Sequence, residues 1–137
     1  MIREPDFTVT LHWPTGGSVN NLYASAGSKR ILIKPAREYK RSIRKTIAAE
    51  LMLQTGSGRR WEDDVAVLYE VYPPDRRRRD LTNIPKLIED AMTGVVWEDD
   101  SQVADTRVVR RSIEEAGRIV LHLWRYDALP ALPSETP

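Results

Sequence analysis

A chain of 137 residues with 41% hydrophobic and 30% charged residues describes one soluble globular domain, large enough for a core and too short for two ordinary ones. It has no cysteine, which excludes a disulfide framework, a thiolate metal site and a cysteine nucleophile, so any metal must sit on oxygen or histidine. The formal charge of +1 hides segregation: basic clusters at Lys34 to Lys45, Arg59 with Arg60, Arg76 to Arg79 and Arg107 to Arg111 contrast with acids at Glu62 to Asp64, Glu89 with Asp90, and Glu98 to Asp100.

Met1 to Phe7 carries acids and a proline where a signal peptide needs an apolar run, and no segment reaches membrane-span length. A cytoplasmic protein with no membrane partner is expected. Phe7, Val9 and Leu11 alternate with polar residues as a first strand, stopped by Pro14 and the Gly16-Gly17 pair. From Gly16 to Lys34 the chain reads as a long loop, functional or disordered, with Asn20, Asn21, Tyr23, Lys29 and Arg30 as its potential contacts. A first helix is predicted from Pro35 to Leu53, where Tyr39, Ile43, Ile47 and Leu51 recur every fourth residue. Its other face carries Lys40, Arg41, Arg44 and Lys45, a solvated face or a phosphate-contact surface.

Val65, Val67, Tyr69 and Val71 form a second alternating strand, ended by Pro73 and Pro74. A second helix starts near Thr82 or Asn83, with Pro85 in its first turn, an apolar stripe through Ile84, Leu87, Ile88, Ala91 and Met92, and Gly94 as its stop. Strands near Thr106 to Arg111 and Gly117 to Trp124 suggest a closing hairpin. His12 and His122 both fall in strands, far apart, which makes a paired zinc site improbable. From Asp127 the tail has three prolines and no periodicity, so residues 1–126 are read as the domain and 127–137 as a flexible Pro-rich tail. The expected order is β-α-β-α-β-β, an α+β (α/β) single domain whose one mixed sheet is packed by helices mostly on one face.

Chemistry concentrates in Tyr72 to Gln102, where four consecutive arginines abut Asp80 and an acidic pair returns one helix later. Arg76, Arg77, Arg78 and Arg79 offer planar forks that match phosphate oxygens, while Asp80, Asp99 and Asp100 offer hard anionic oxygens suited to magnesium. Four arginines are also expected to depress the pKa of Asp80. Lys86, six residues on, falls in the first turns of the second helix, where an ammonium and the helix N-terminus would stabilise charge developing on a phosphate. A helix of about twelve residues spans roughly 18 Å, so Val95 to Trp97 must turn the chain back for Asp80 and Asp100 to border one site. Each feature alone has a plainer reading: a solvated loop, an exposed lysine, a polar turn.

The set P-P-D-R-R-R-R-D-L-x-N-x-x-K followed by W-x-D-D-x-Q-V resembles the RusA family of Holliday junction resolvases, strongly from Pro73 to about Val109 and weakly at Trp13 to Tyr23. The resemblance implies a dimeric, magnesium-dependent endonuclease, bacterial or phage-borne, that cuts four-way DNA junctions with symmetrical nicks; manganese could replace magnesium. It makes Asp80, Lys86 and Asp100, with Asp99 beside it, the catalytic set, and gives DNA contacts to Arg76 through Arg79, Lys86, Asn83 and Asn21. The family motif reads D-L-D-N, whereas here Thr82 stands where a metal-binding carboxylate is expected. Thr82 can bind metal or water without charge, so three outcomes are open: weaker metal affinity, substitution by Glu98 or Asp90, or junction binding without cutting. Two other classes are a DNA-binding module that needs no metal and an assembly protein whose charged loop meets other proteins.

Overall fold

The computed structural model describes residues 3–14, 23–26 and 29–125, with side chains described outside 23–26 and 29–32. In chain order it comprises β1 (Phe7–His12), β2 (Tyr23–Ala26), β3 (Lys29–Leu32), α1 (Lys34–Thr55), β4 (Val65–Tyr72), α2 (Asn83–Met92), β5 (Val103–Arg110) and β6 (Arg118–Arg125). The expected tail at 127–137 and Asn21 lie outside the described residues.

The main sheet has the order β1-β6-β4-β5, with β4 and β5 parallel and the other pairs antiparallel. This is the mixed α+β sheet that the hydrophobic pattern predicts. Alternation puts Val65, Val67, Tyr69 and Val71 of β4 on the face covered by both helices, and these four join Ile43 and Ile47 of α1 and Ile84 and Ile88 of α2 in one core. Ala66, Leu68 and Trp124 form a separate small cluster.

Two expectations fail. The segment read as a loop contains an antiparallel hairpin, β2 with β3, in a sheet of its own. The closing hairpin does not form either, because β5 and β6 lie on opposite sides of β4. The cause is the apolar content of each strand. Residues 119–121 and 123–124 of β6 are buried and suit an interior position, whereas β5, bearing Asp105, Arg107 and Arg110, suits an edge. With α2 as the crossover, β5 runs parallel to β4.

The return after α2 is built as the sequence demands. Gly94 has φ 86° and donates its N–H to the carbonyl of Trp97 at 2.7 Å, a conformation that a side chain would strain. Val96 and Trp97 then bury completely, and the Trp97 indole N–H donates to the Thr93 hydroxyl at 3.1 Å. The chain is pinned from the other side where Trp61 N–H donates to the Val96 carbonyl at 2.6 Å.

Candidate functional site

The loop leaving β4 carries the arginines, and they have different fates. Arg76, Arg77 and Arg78 are exposed, whereas the Arg79 side chain is only 9% exposed. Arg79 pairs with the Asp75 carboxylate at 2.7 Å and lies over the Trp13 ring at 5.3 Å. It braces the loop, unlike its three exposed neighbours in the run that the sequence offers for phosphate contact.

Asp80 follows, fully on the surface, and its Oδ1 accepts the Thr82 hydroxyl at 2.5 Å and the Thr82 backbone N–H at 3.1 Å. The Thr82 hydroxyl and then its N–H hold the Asp80 carboxyl below the usual carboxylate range, with the Lys86 ammonium adding to them. The expected cause was the arginine run. Arg77 and Arg79 act instead on Asp75, whose pKa is lowered chiefly by the Arg77 backbone N–H. Thr82 therefore serves as a donor that orients its neighbour's carboxylate.

Asp99 and Asp100 meet α2 further along. Asp99 caps a single 3₁₀ turn, Asp100–Gln102, by accepting from the Ser101 N–H at 3.2 Å. Gln102 completes the cap: its Oε1 accepts the N–H groups of Glu98 and Asp99 at 3.0 and 3.2 Å, while its Nε2 donates to the carbonyls of Trp61 and Asp63. In W-x-D-D-x-Q-V the tryptophan anchors the turn in the core and the glutamine fixes its backbone, so both aspartates stand clear. Asp99 is held low, first by the Ser101 N–H, whereas Asp100 is pushed up by Asp99 and then by Asp90.

Glu89 is the residue that sequence reasoning passed over. Half-buried on α2, it accepts the hydroxyl of fully buried Tyr69 at 2.9 Å and that of Thr106 at 3.4 Å on the same Oε2. Burial first, and the negative charge of Asp100 as well, raise its pKa. Only its place one residue past Ile88 and three before Met92, both buried, hinted that it borders the core. The substitutes suggested by sequence each carry an ion pair, Glu98 with Arg60 at 2.6 Å and Asp90 with Lys40 at 2.5 Å, and Asp90 also acts on Asp100.

The acids thus fall into two groups along α2, Asp80 with Thr82 and Lys86 at its start, and Glu89 with Asp99 and Asp100 further on. Lys86 and Glu89 are three apart on the helix and neighbours on its surface. Asn83 opens the same helix. The rise from Asn83 to Glu89 is about 9 Å. Among the described residues no three acidic or imidazole side chains lie close enough to hold a metal ion together. The donor chemistry still suits magnesium, which takes one or two carboxylates, keeps several waters and shares substrate phosphates. Glu89 and Asp100 are hard oxygen donors near enough for the Asp100 charge to act on Glu89.

The profile of the family described as Endodeoxyribonuclease RusA matches residues 13–123 of this chain. A crossover junction endodeoxyribonuclease RusA of Shigella sonnei is 35% identical over 116 residues, covering 84% of this chain and 91% of the relative. Its counterparts from Escherichia coli K12 and Enterobacteria phage 82 are each 34% identical over the same extent.

Proposed function

This chain belongs to the RusA family of endodeoxyribonucleases, and from that premise we propose that it resolves four-way DNA junctions by hydrolysing phosphodiesters with the face of α2 and its two flanking turns. The reading is supported by one arrangement: Lys86 and Glu89 lie three apart on α2, with the Lys86 charge acting on Asp80 at the helix start and the Asp100 charge acting on Glu89 further along. No observation favours binding without cutting.

Lys86 and the backbone N–H groups at the start of α2 face the developing negative charge with two sources of positive potential. Asp80, oriented by the Thr82 hydroxyl and N–H, positions water or a cation at the same end. Asp100 and Glu89, with Asp99 adjacent, are the oxygens that would hold magnesium, or manganese in its place. A bound divalent cation supplies charge neutralisation on the phosphate and a more acidic water. With Thr82 uncharged, the start of α2 is one carboxylate short of the family motif, so weaker metal affinity is expected there, and Glu89 adds an acid further along the helix. Arg76, Arg77 and Arg78 reach the phosphate backbone on the exposed loop, with Asn83 beside them.

Symmetrical nicking needs two sites facing two strands, so a two-fold dimer is the working species. No helix among the described residues is long and apolar enough to cross a membrane, and a cytoplasmic bacterial or phage setting suits the substrate. Synthetic four-way junctions and matched duplexes, incubated over a magnesium and manganese series, test the reading. Metal-dependent nicks are expected, lost in Asp80→Asn with junction binding intact. Absence of cutting at every metal concentration would overturn it, and a monomer at micromolar concentration in sedimentation would overturn the dimer.

A further inference from the structure

Beside Asp80 lies a cavity of about 340 Å³ that the hydrolytic chemistry does not use, lined by the β4–α2 loop and the β5–β6 connection. Its walls are of two kinds. Arg76, Arg77 and Arg110 give it positive charge, and Asp75, the acid in its lining, is paired with Arg79. Pro73, Leu81 and Ile113 give it an apolar side. Ile113 is 45% exposed, one of the few large apolar side chains so displayed among the described residues. A bare phosphate would need the first wall alone and an apolar peptide the second alone. A nucleotide has an anionic end and a flat, weakly hydrated base, and the volume falls in the range of small-ligand sites.

We propose that this cavity takes one unstacked nucleotide of the junction, its base against Pro73, Leu81 and Ile113 and its phosphate on Arg76, Arg77 and Arg110. The inference rests on the junction-nuclease reading and adds how a strand is held next to Asp80. Arg79 and Leu81 line the cavity and are the chain neighbours of Asp80, so a nucleotide seated there fixes which phosphodiester reaches the acid. In an open, metal-free junction the crossover bases lose a stacking neighbour, which lowers the cost of unstacking them.

The test uses four-way junctions carrying a single abasic site, walked across the nucleotides nearest the crossover, with binding read by fluorescence anisotropy in EDTA. Binding is thereby separated from cutting. At one position, loss of the base is expected to weaken binding about tenfold, and Ile113→Ser is expected to bind that junction and the intact one equally. A deoxynucleoside monophosphate should compete for the wild-type site where inorganic phosphate at equal ionic strength does not. Uniform affinity across the abasic series, an undiminished penalty in Ile113→Ser, or equal competition by phosphate would each overturn the base pocket while leaving the nuclease reading intact. Equal affinity for junction and duplex would overturn the nuclease reading instead.

Discussion

Replacing Tyr69 by Phe removes one oxygen from the core and, with it, the donor that orients Glu89. Tyr69 is fully buried and its ring packs among the core side chains, so Phe fills the same space without a cavity. What is lost is the 2.9 Å hydrogen bond to Glu89 Oε2. Hydrogen bonds to charged groups contribute about 1.5–3 kcal/mol when both partners are shielded. Glu89 is only half-buried and keeps the longer Thr106 contact on the same oxygen, so water replaces part of the interaction and about 1 kcal/mol of stability is expected to go. The effect on cutting should be larger, about tenfold, because a carboxylate beside a metal depends on its supporting hydrogen bond for orientation. The Tyr69 hydroxyl also lowers the Glu89 pKa against the rise caused by burial. Without it Glu89 holds its proton to higher pH, and the acid limb of the pH–cutting profile moves upward. Urea unfolding and initial cutting rates between pH 5 and 9 measure both effects. A Tyr69→Phe protein with a wild-type pH profile and metal requirement would remove Glu89 from the site.

Glu89→Gln separates function from stability: the raised native pKa means this group's stabilising contribution is complete below the ordinary carboxylate range and is lost as pH rises through the native value. Gln should therefore match or exceed the wild type in stability at neutral pH, with the gap closing in acid, while metal affinity by calorimetry falls; unchanged affinity would refute the assignment. Thr82→Asp should lower the magnesium concentration for half-maximal cutting, although loss of the hydroxyl donor and the added like charge raise the Asp80 pKa; an unaltered metal curve would show that the missing carboxylate is not limiting. Arg76→Ala or Arg77→Ala should weaken junction binding and reduce the salt slope by about one, whereas Arg79→Ala should lower thermal stability because it deletes the Asp75 pair and the Trp13 contact; identical behaviour of all three would contradict their different placements. Trp97→Ala should cost about 3–5 kcal/mol in chemical denaturation, and a near-neutral result would show that the turn holding Asp99 and Asp100 does not depend on its anchor.

Local signals carried much of this protein. The four-residue apolar recurrence of α1 and the alternation of β4 are each determined by near neighbours, and the helix and strand form where those periods predict them. Gly94 likewise announced the return, since few other residues adopt its backbone conformation without strain. The β2–β3 hairpin was illegible because a short polar segment rich in glycine and serine has no hydrophobic alternation to mark its strands. Glu89 was hidden for the opposite reason: its identity is plain in sequence, but its seat under Tyr69 and Thr106 depends on β4 and β5 flanking α2.

By itself the sequence determined the two helices and the four strands of the mixed sheet, because periodicity is a property of short stretches of chain, and it held a motif whose arginines, Asp80, Lys86 and Asp100 resemble those of a known nuclease family. Tertiary structure decided what no stretch contains. It placed β6 between β1 and β4 because its apolar residues need cover on two faces. It turned Arg79 inward against the Trp13 ring while its neighbours stayed out. It also seated a half-buried glutamate against the hydroxyls of Tyr69 and Thr106, where the Asp100 charge acts on it. These outcomes depend on which charges end within a few ångströms of each other and of water, and only the closed fold fixes those distances.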